Sequence, residues 1–268
     1  MGKDLFHKAV VVITGASSGI GRSAAVMLAR RGAIIVAASR TLPALRTLEE
    51  EIRGGGGTIL SVLTDVAFED DIRRLVNTAI QQFGRIDIVV CNAGVYLRHL
   101  IREAPLKDYE RCMAVNFYGT LHLVRAVLPH MLARKSGHIV VVSSVDGKKG
   151  LPLDAPYVAS KFALVGFADV LRQELQGTGV YATTILPGRV DTPMIDHLNV
   201  PLVSAKVSPE RVAVAIVQAI RHKRAEIIVP SFGPRLLVIV SSILPRLGDR
   251  LVRIFKLEGS EETSNASD

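Results

Sequence analysis

The sequence predicts an α/β domain in which one seven-stranded parallel sheet lies between two layers of helices, followed by an amphipathic C-terminal extension. Three observations predict it. Short aliphatic, β-branched runs recur near residues 10, 34, 58, 87, 138, 181 and 226, and nearly continuous apolar runs are what strands buried on both faces require. The stretches between them carry a helical period. The first run passes through a glycine cluster directly into a helix, the join that a strand–turn–helix unit makes.

Size and composition agree with one domain. The chain has 268 residues, is 49% hydrophobic and contains no Pro/Ser-rich linker, which predicts a folded domain over 1–230, the extension over 231–257 and a polar tail over 258–268. The apolar run Ala9 to Ile13 is too short for a signal-peptide core, so the expected location is cytoplasmic. Cys91 and Cys112 lack metal-ligand spacing and are read as two reduced thiols, with no metal site. A net charge of +8 suits anionic cofactors, acidic partners or a lipid surface, whereas no basic run interleaved with aromatics supports nucleic acid.

Val10 to Ile13 forms the first strand, Thr14-Gly-Ala-Ser-Ser-Gly-Ile-Gly21 the turn and Arg22 to Arg30 the first helix. Gly15 makes the tight bend, Gly19 lets backbone amides approach a pyrophosphate, and Gly21 permits close helix–strand packing, with the helix N-terminus facing the phosphates. Thr14, Gly15, Ser17, Ser18, Gly19, Ile20 and Gly21 are therefore expected to hold a dinucleotide, and the second strand, Ala33 to Ala38, completes a Rossmann-type βαβ unit. Helix Leu42 to Ile52 ends in four glycines before strand Thr58 to Leu63, and a helix follows over Glu69 to Phe83. The fourth strand, opened by Asp87, runs into Asn92-Ala93-Gly94, small residues that let backbone lie against a cofactor. Asp108 to Leu132 is helical by period, and Asn116 marks an exception to helix regularity within it.

The strand His138 to Val142 ends in two hydroxyls, Ser143 and Ser144. Tyr157 and Lys161 then stand one helical turn apart on one face. A cation held beside a phenol favours the phenolate, so this pair is suited to moving protons near neutral pH, with Ser144 placed to donate to a substrate oxygen. Beyond helix Phe162 to Leu175 and strand Tyr181 to Leu186, the segment Met194 to Val203 is largely apolar, which favours a hydrophobic substrate; His197 within it is read as solvated. Ser208 caps a helix with Pro209 at its first position, and Ala225 to Pro230 is the last strand.

The spacing Thr-Gly-x-x-x-Gly-x-Gly at 14–21, with Tyr-x-x-x-Lys at 157–161 and Ser144 upstream, resembles the short-chain dehydrogenase/reductase family, from about Val10 to Pro230. The resemblance implies an enzyme in which NADP(H) exchanges hydride with a carbonyl or secondary alcohol. Tyr157 would be the general acid/base, Ser144 would orient the oxygen with Ser143 in support, and Lys161 would lower the tyrosine pKa and hold the nicotinamide ribose. Asn116 would be the fourth member, its backbone holding a water that links Lys161 to solvent. Asp65 and Val66 would meet the adenine, although Asp65 is equally suited to cap the next helix. Asn92, Ala93 and Gly94 match the family turn, with Cys91 where a second Asn is common. Pro187, Gly188 and Val190 would run along the cofactor, and Thr192 would meet the carboxamide. At the end of the second strand, Ser39-Arg40 stands where an NAD site would place a carboxylate, and a guanidinium there suits the 2′-phosphate of NADP(H). Arg22 either adds to that phosphate field or lies on the helix surface. A homodimer or homotetramer through the helices over 108–132 and 162–175 is also implied. Two rival readings are a 3-oxoacyl-carrier-protein reductase, whose acidic carrier a basic surface suits, and a non-catalytic NADP(H) sensor.

In the extension, Leu236, Val240, Ile243, Leu247, Leu251 and Ile254 recur at helical spacing while Arg246, Arg250 and Arg253 share another face, with a break at Pro245. Leu236 to Leu244 is too short to span a bilayer, which takes about 20 residues. The stripe is suited to packing against the core or a neighbouring subunit, to roofing a substrate entrance, or to peripheral membrane contact over 232–257. The polar tail from Glu258 is expected to be disordered.

Overall fold

The computed structural model describes residues 5–230 and 232–261. Seven parallel strands form the sheet: β1 (Val10–Thr14), β2 (Ile34–Ser39), β3 (Thr58–Leu63), β4 (Ile88–Cys91), β5 (Gly137–Val142), β6 (Val180–Pro187) and, after the short β7 (Leu198–Asn199), β8 (Glu226–Val229). Their spatial order is β3-β2-β1-β4-β5-β6-β8. Register follows the hydrophobic runs, with Val12 beside Val36 on one side and Val89 on the other. The chain reverses its direction of travel across the sheet between β1 and β4, and a crevice opens there beyond the C-terminal strand ends.

Strand alternation sorts the apolar residues into two cores. Val11 and Ile13 join Leu28 of α1 (Gly19–Ala29), Leu45 and Leu48 of α2 (Leu42–Gly54) and Ile216 of α7 (Pro209–His222). Val10 and Val12 face the other way, toward Leu75 of α3 (Glu69–Phe83), Leu123 of α5 (Gly119–Ala133) and Leu164 of α6 (Ala155–Glu174). Ser208 caps α7 as its sequence indicates, accepting from the Arg211 amide, with Pro209 in the first turn.

The predicted long helix over 108–132 is present but not uniform. It runs as α4 (Leu106–Cys112), one π-helical stretch (Met113–Tyr118) and α5, and Asn116 sits within the π stretch. Gly21 is where α1 meets the turn before it. A Cβ there would lie 2.3 Å from the Gly15 carbonyl oxygen and 2.6 Å from the Asn92 side-chain nitrogen. Backbone cannot yield that distance cheaply, so Gly21→Ala should lower the free energy of urea unfolding by about 2–3 kcal/mol.

Past β8 the chain forms α8 (Gly233–Ile243) and α9 (Pro245–Ile254), divided at Pro245 as the sequence indicates. The tail differs from expectation. Residues 258–261 are ordered rather than disordered, because β9 (Ser260–Glu261) pairs antiparallel with β7 in the apolar segment that follows β6. Arg98 donates to the Gly259 carbonyl at 3.0 Å and Arg189 to that of Leu257, which satisfies backbone acceptors that a free tail would leave to water. Residues 262–268 of the predicted disordered tail lie outside the described residues.

Candidate active site

The crevice is fastened by the ends of β1 and β4. Thr14 Oγ1 accepts from the amides of Asn92 and Ala93 at 3.1 and 3.2 Å, and the Asn92 side chain donates to the carbonyls of Thr14 and Gly15 at 3.0 and 3.2 Å. Thr14 and Asn92 thus hold the glycine turn against the fourth strand. Cys91 departs from the family pattern without disturbing this, since its buried thiol is pushed up to about 12 by desolvation and is inert. Gly19 sits at φ +52°, and a Cβ on it would come 2.7 Å from the Thr192 methyl, so only glycine leaves the gap between this turn and the loop that follows β6.

A cavity of about 280 Å³ follows the strand ends. Of the residues expected to bind a cofactor, Gly15, Ser17, Ser18, Gly19, Ile20, Ser39, Arg40, Val66, Asn92, Ala93, Gly94, Pro187, Gly188, Val190 and Thr192 line it, as do Ser144, Tyr157 and Lys161. Thr14, Gly21, Asp65 and Asn116 stand behind the lining. The first two have the fastening and packing roles described above. Asp65 is neither the helix cap nor a wall of the cavity: it accepts from the Ala67 amide, while its other oxygen lies 3.8 Å from the Arg40 guanidinium. A carboxylate is therefore near the end of β2 after all, but it comes from the turn after β3 and pairs with Arg40. Arg22 turns to Glu51 on α2 at 2.7 Å, away from the cavity.

At the other end, Ser143 Oγ donates to the Lys161 carbonyl at 3.0 Å, joining the end of β5 to α6. Ser144 Oγ accepts from the Asp146 amide at 3.0 Å and faces the Pro187 carbonyl. Lys161 Nζ donates to the Val142 carbonyl at 3.1 Å and lies 5.4 Å from the centre of the Tyr157 ring. Asn116 accepts from the Val95 amide at 2.8 Å and donates to Ser160 Oγ at 2.8 Å, which in turn donates to the Tyr157 carbonyl at 2.7 Å. The side chain of Asn116 is thereby committed to holding the first turns of α6.

Electrostatics differ from the expectation for the tyrosine. Its phenol is pushed up, not down: burial dominates, the Asp146 charge adds to it, and hydrogen bonding with Ser144 opposes. Lys161 is lowered to about 8, again chiefly by burial, against attraction from Cys112 and Asp146. In this low-dielectric pocket desolvation of each group outweighs the neighbouring interactions that favour its charged form.

Sequence reading missed several neighbours. Tyr96 packs edge-on against Tyr157 with ring centres 5.0 Å apart and donates to Asp154 at 2.6 Å, whereas Met194 and Ile195, which also line the cavity, belong to the apolar segment that the sequence singles out. Ser160 was readable inside Tyr-Val-Ala-Ser-Lys as the residue facing back from Lys161, whereas nothing local marks Tyr96. Asp146 is also new. Its carboxyl is raised to about 7 by burial first and then by the Asp154 charge. A folded pKa above the unfolded value of about 3.9 means that its contribution to stability is intact below pH 4 and is lost as pH rises through 7. Asp146→Asn keeps the amide that Ser144 accepts from, so it should stabilise the protein by about 2 kcal/mol at pH 8 and not at pH 4, measured by thermal unfolding at both.

A parallel sheet of this order, with a glycine turn at the β1–α1 join and a tyrosine–lysine–serine group across the crevice, defines an oxidoreductase of the short-chain dehydrogenase class. Residues 9–201 match the family model described as short chain dehydrogenase, and the chain belongs to that family. An uncharacterized oxidoreductase of Bacillus subtilis, YxnA, is 35% identical over 268 residues, which covers 96% of this chain and 75% of that protein. The ketoacyl reductase HetN of Nostoc is 34% identical over 254 residues, 91% of this chain and 88% of its own. Among solved structures, an alcohol dehydrogenase from the archaeon Thermococcus sibiricus, complexed with 5-hydroxy-NADP, superposes with a TM-score of 0.75 at 25% identity, covering 82% of this chain and 95% of that one.

Proposed function

We propose that the chain is an NADP(H)-dependent oxidoreductase that interconverts a carbonyl and a secondary alcohol on an apolar substrate. The observation that carries this is the single cavity joining Arg40 and the glycine turn at one end to Ser144, Tyr157 and Lys161 at the other. The residues present fit a dinucleotide. The amide-rich turn from Gly15 to Gly19 opens α1, giving a pyrophosphate backbone donors and the positive end of a helix. Arg40 is half exposed at the end of β2, where its guanidinium suits a 2′-phosphate, and the Thr64–Val66 turn lies beside it for the adenine. Pro187, Gly188, Val190 and Thr192 suit the nicotinamide end.

When bound, the nicotinamide supplies or accepts a hydride. The chain's own groups manage the oxygen. Tyr157 donates its phenolic proton to the developing alkoxide, and the raised phenol pKa keeps that proton in place until the oxygen becomes basic. Ser144 donates to the same oxygen and fixes its direction. Lys161 stabilises the resulting phenolate, and Asn116, tied through Ser160 to the Tyr157 turn, holds the geometry in which proton return takes place. In alcohol oxidation the same groups act in reverse.

Val190, Met194 and Ile195 add apolar side chains to the lining of the cavity that Tyr157 shares, which supports a hydrophobic substrate. The likeness to a ketoacyl reductase favours acyl ketones within that class, carrier-bound or free. Leu132, Phe162 and Val170 on the outer sides of α5 and α6 are exposed, which supports a homodimer or homotetramer through these helices. The test is oxidation of NADPH, followed at 340 nm, against ketones graded from short and polar to long and apolar. The expected result is turnover that rises with apolar length; tight NADPH binding with no turnover on any ketone would sink the reading.

A further inference from the structure

The outward faces of α8 and α9 carry an apolar surface that no other described part of the chain covers. Leu236, Ile239 and Ile243 repeat along one side of α8, and Leu247 and Ile254 continue the surface on α9; Ile243 and Ile254 are 72% and 70% exposed. The two helices are fastened to each other, and α9 is tied to the body at one point. Gly248 packs so closely on Ser241 that a Cβ there would lie 2.2 Å from the serine oxygen, Val252 is buried, and Asp249 is tied to Lys149 at 2.6 Å. Gly248 and Val252 form the buried side of α9, and the apolar stripe faces outward.

Charge decides what covers it. Between residues 232 and 257 stand Arg235, Arg246, Arg250, Arg253 and Lys256 against one carboxylate, Asp249, which Lys149 engages. A second copy placed face to face on this surface would bring its arginines against these, and like charges brought together oppose association. An anionic bilayer surface accepts both features at once, with apolar side chains at the acyl boundary and arginines among the headgroups. None of the helices, among the described residues, is long and apolar enough to cross a membrane. The hairpin also borders the cavity, since Pro234 lies against Gly188, one of the cavity residues.

We propose that the α8–α9 hairpin seats the protein on the surface of an anionic bilayer, with the mouth of the cavity beside the lipid. The proposal goes beyond the carbonyl reading and is measured without turnover, so either can fail alone. The test is flotation of the full chain with vesicles of phosphatidylcholine, with and without phosphatidylglycerol. Partition onto the mixed vesicles should exceed that onto phosphatidylcholine by about tenfold or more and should fall at high salt. Ile239→Asp/Ile243→Asp should abolish it, and Arg246→Gln/Arg250→Gln should weaken it about 30-fold, from the loss of two surface cations. Unchanged circular dichroism and NADPH binding in both variants show that the fold persists. Absence of the intact chain from mixed vesicles, partition indifferent to lipid charge, or partition retained by the isoleucine variant would each overturn the proposal. So would a vesicle-independent dimer that the isoleucine variant dissolves, which would make a second copy the occupant.

Discussion

Tyr157→Phe should lower kcat/KM for ketone reduction about 1000-fold or more while leaving the affinity for NADPH within about twofold. The substitution removes one oxygen and keeps the ring. The edge-on contact with Tyr96 at 5.0 Å and the position of Lys161 5.4 Å from the ring centre therefore survive, and the loss reports proton transfer alone. Steady-state turnover beside a fluorescence titration with NADPH separates the two effects. A variant retaining a tenth of the activity would show that another group or bulk water protonates the alkoxide, and Tyr157 would lose its place in the mechanism. Because burial raises the phenol rather than lowering it, the parent enzyme should reduce ketones well on the acidic side of neutrality and lose rate as pH rises through about 8, where Lys161 gives up its charge.

Arg40→Glu should reverse the choice of cofactor. Charge-assisted hydrogen bonds from a guanidinium to a phosphate contribute roughly 1.5–3 kcal/mol each, and a carboxylate in the same place repels the phosphate instead while accepting from a ribose hydroxyl. The ratio of kcat/KM for NADPH over NADH should fall about 1000-fold, chiefly through KM for NADPH. Asp65, 3.8 Å from Arg40, sharpens the expectation: with arginine present it helps to hold the guanidinium at the end of β2, and with glutamate present it adds a second negative charge against the phosphate. A ratio unchanged by the substitution would mean that Arg40 is a solvated side chain and that cofactor choice is made elsewhere.

The sheet was legible because each strand is a short, largely apolar, β-branched run and each join carries its own chemistry. Val10 to Thr14 followed by glycines admits few alternatives, and α3 matches the expected Glu69 to Phe83 because its period and its terminal Gly84 are both local signals. The seven-strand count held for the same reason. What the sequence concealed depends on residues far apart along the chain. Asp65 reads as an adenine contact or a cap until β3 lies beside β2 and brings it to Arg40. The phenol of Tyr157 reads as lowered by Lys161 until α6 and β5 bury both groups. The segment from Glu258 has a polar composition that predicts disorder, and its pairing with Leu198–Asn199 through backbone alone leaves no trace in side-chain pattern.

The π stretch at Met113–Tyr118 amounts to an α-helix carrying one surplus residue. Removing a residue from it would restore ordinary helical hydrogen bonding and give a more regular helix. It would also rotate one half of that helix against the other by about 100°, taking Asn116 from Val95 and Ser160 if the α5 packing stayed in register. An idealised redesign of this protein would thus gain a better helix and release the Tyr157 turn from its tether, so the irregularity should be carried over as a unit in any transplant of the site to another scaffold.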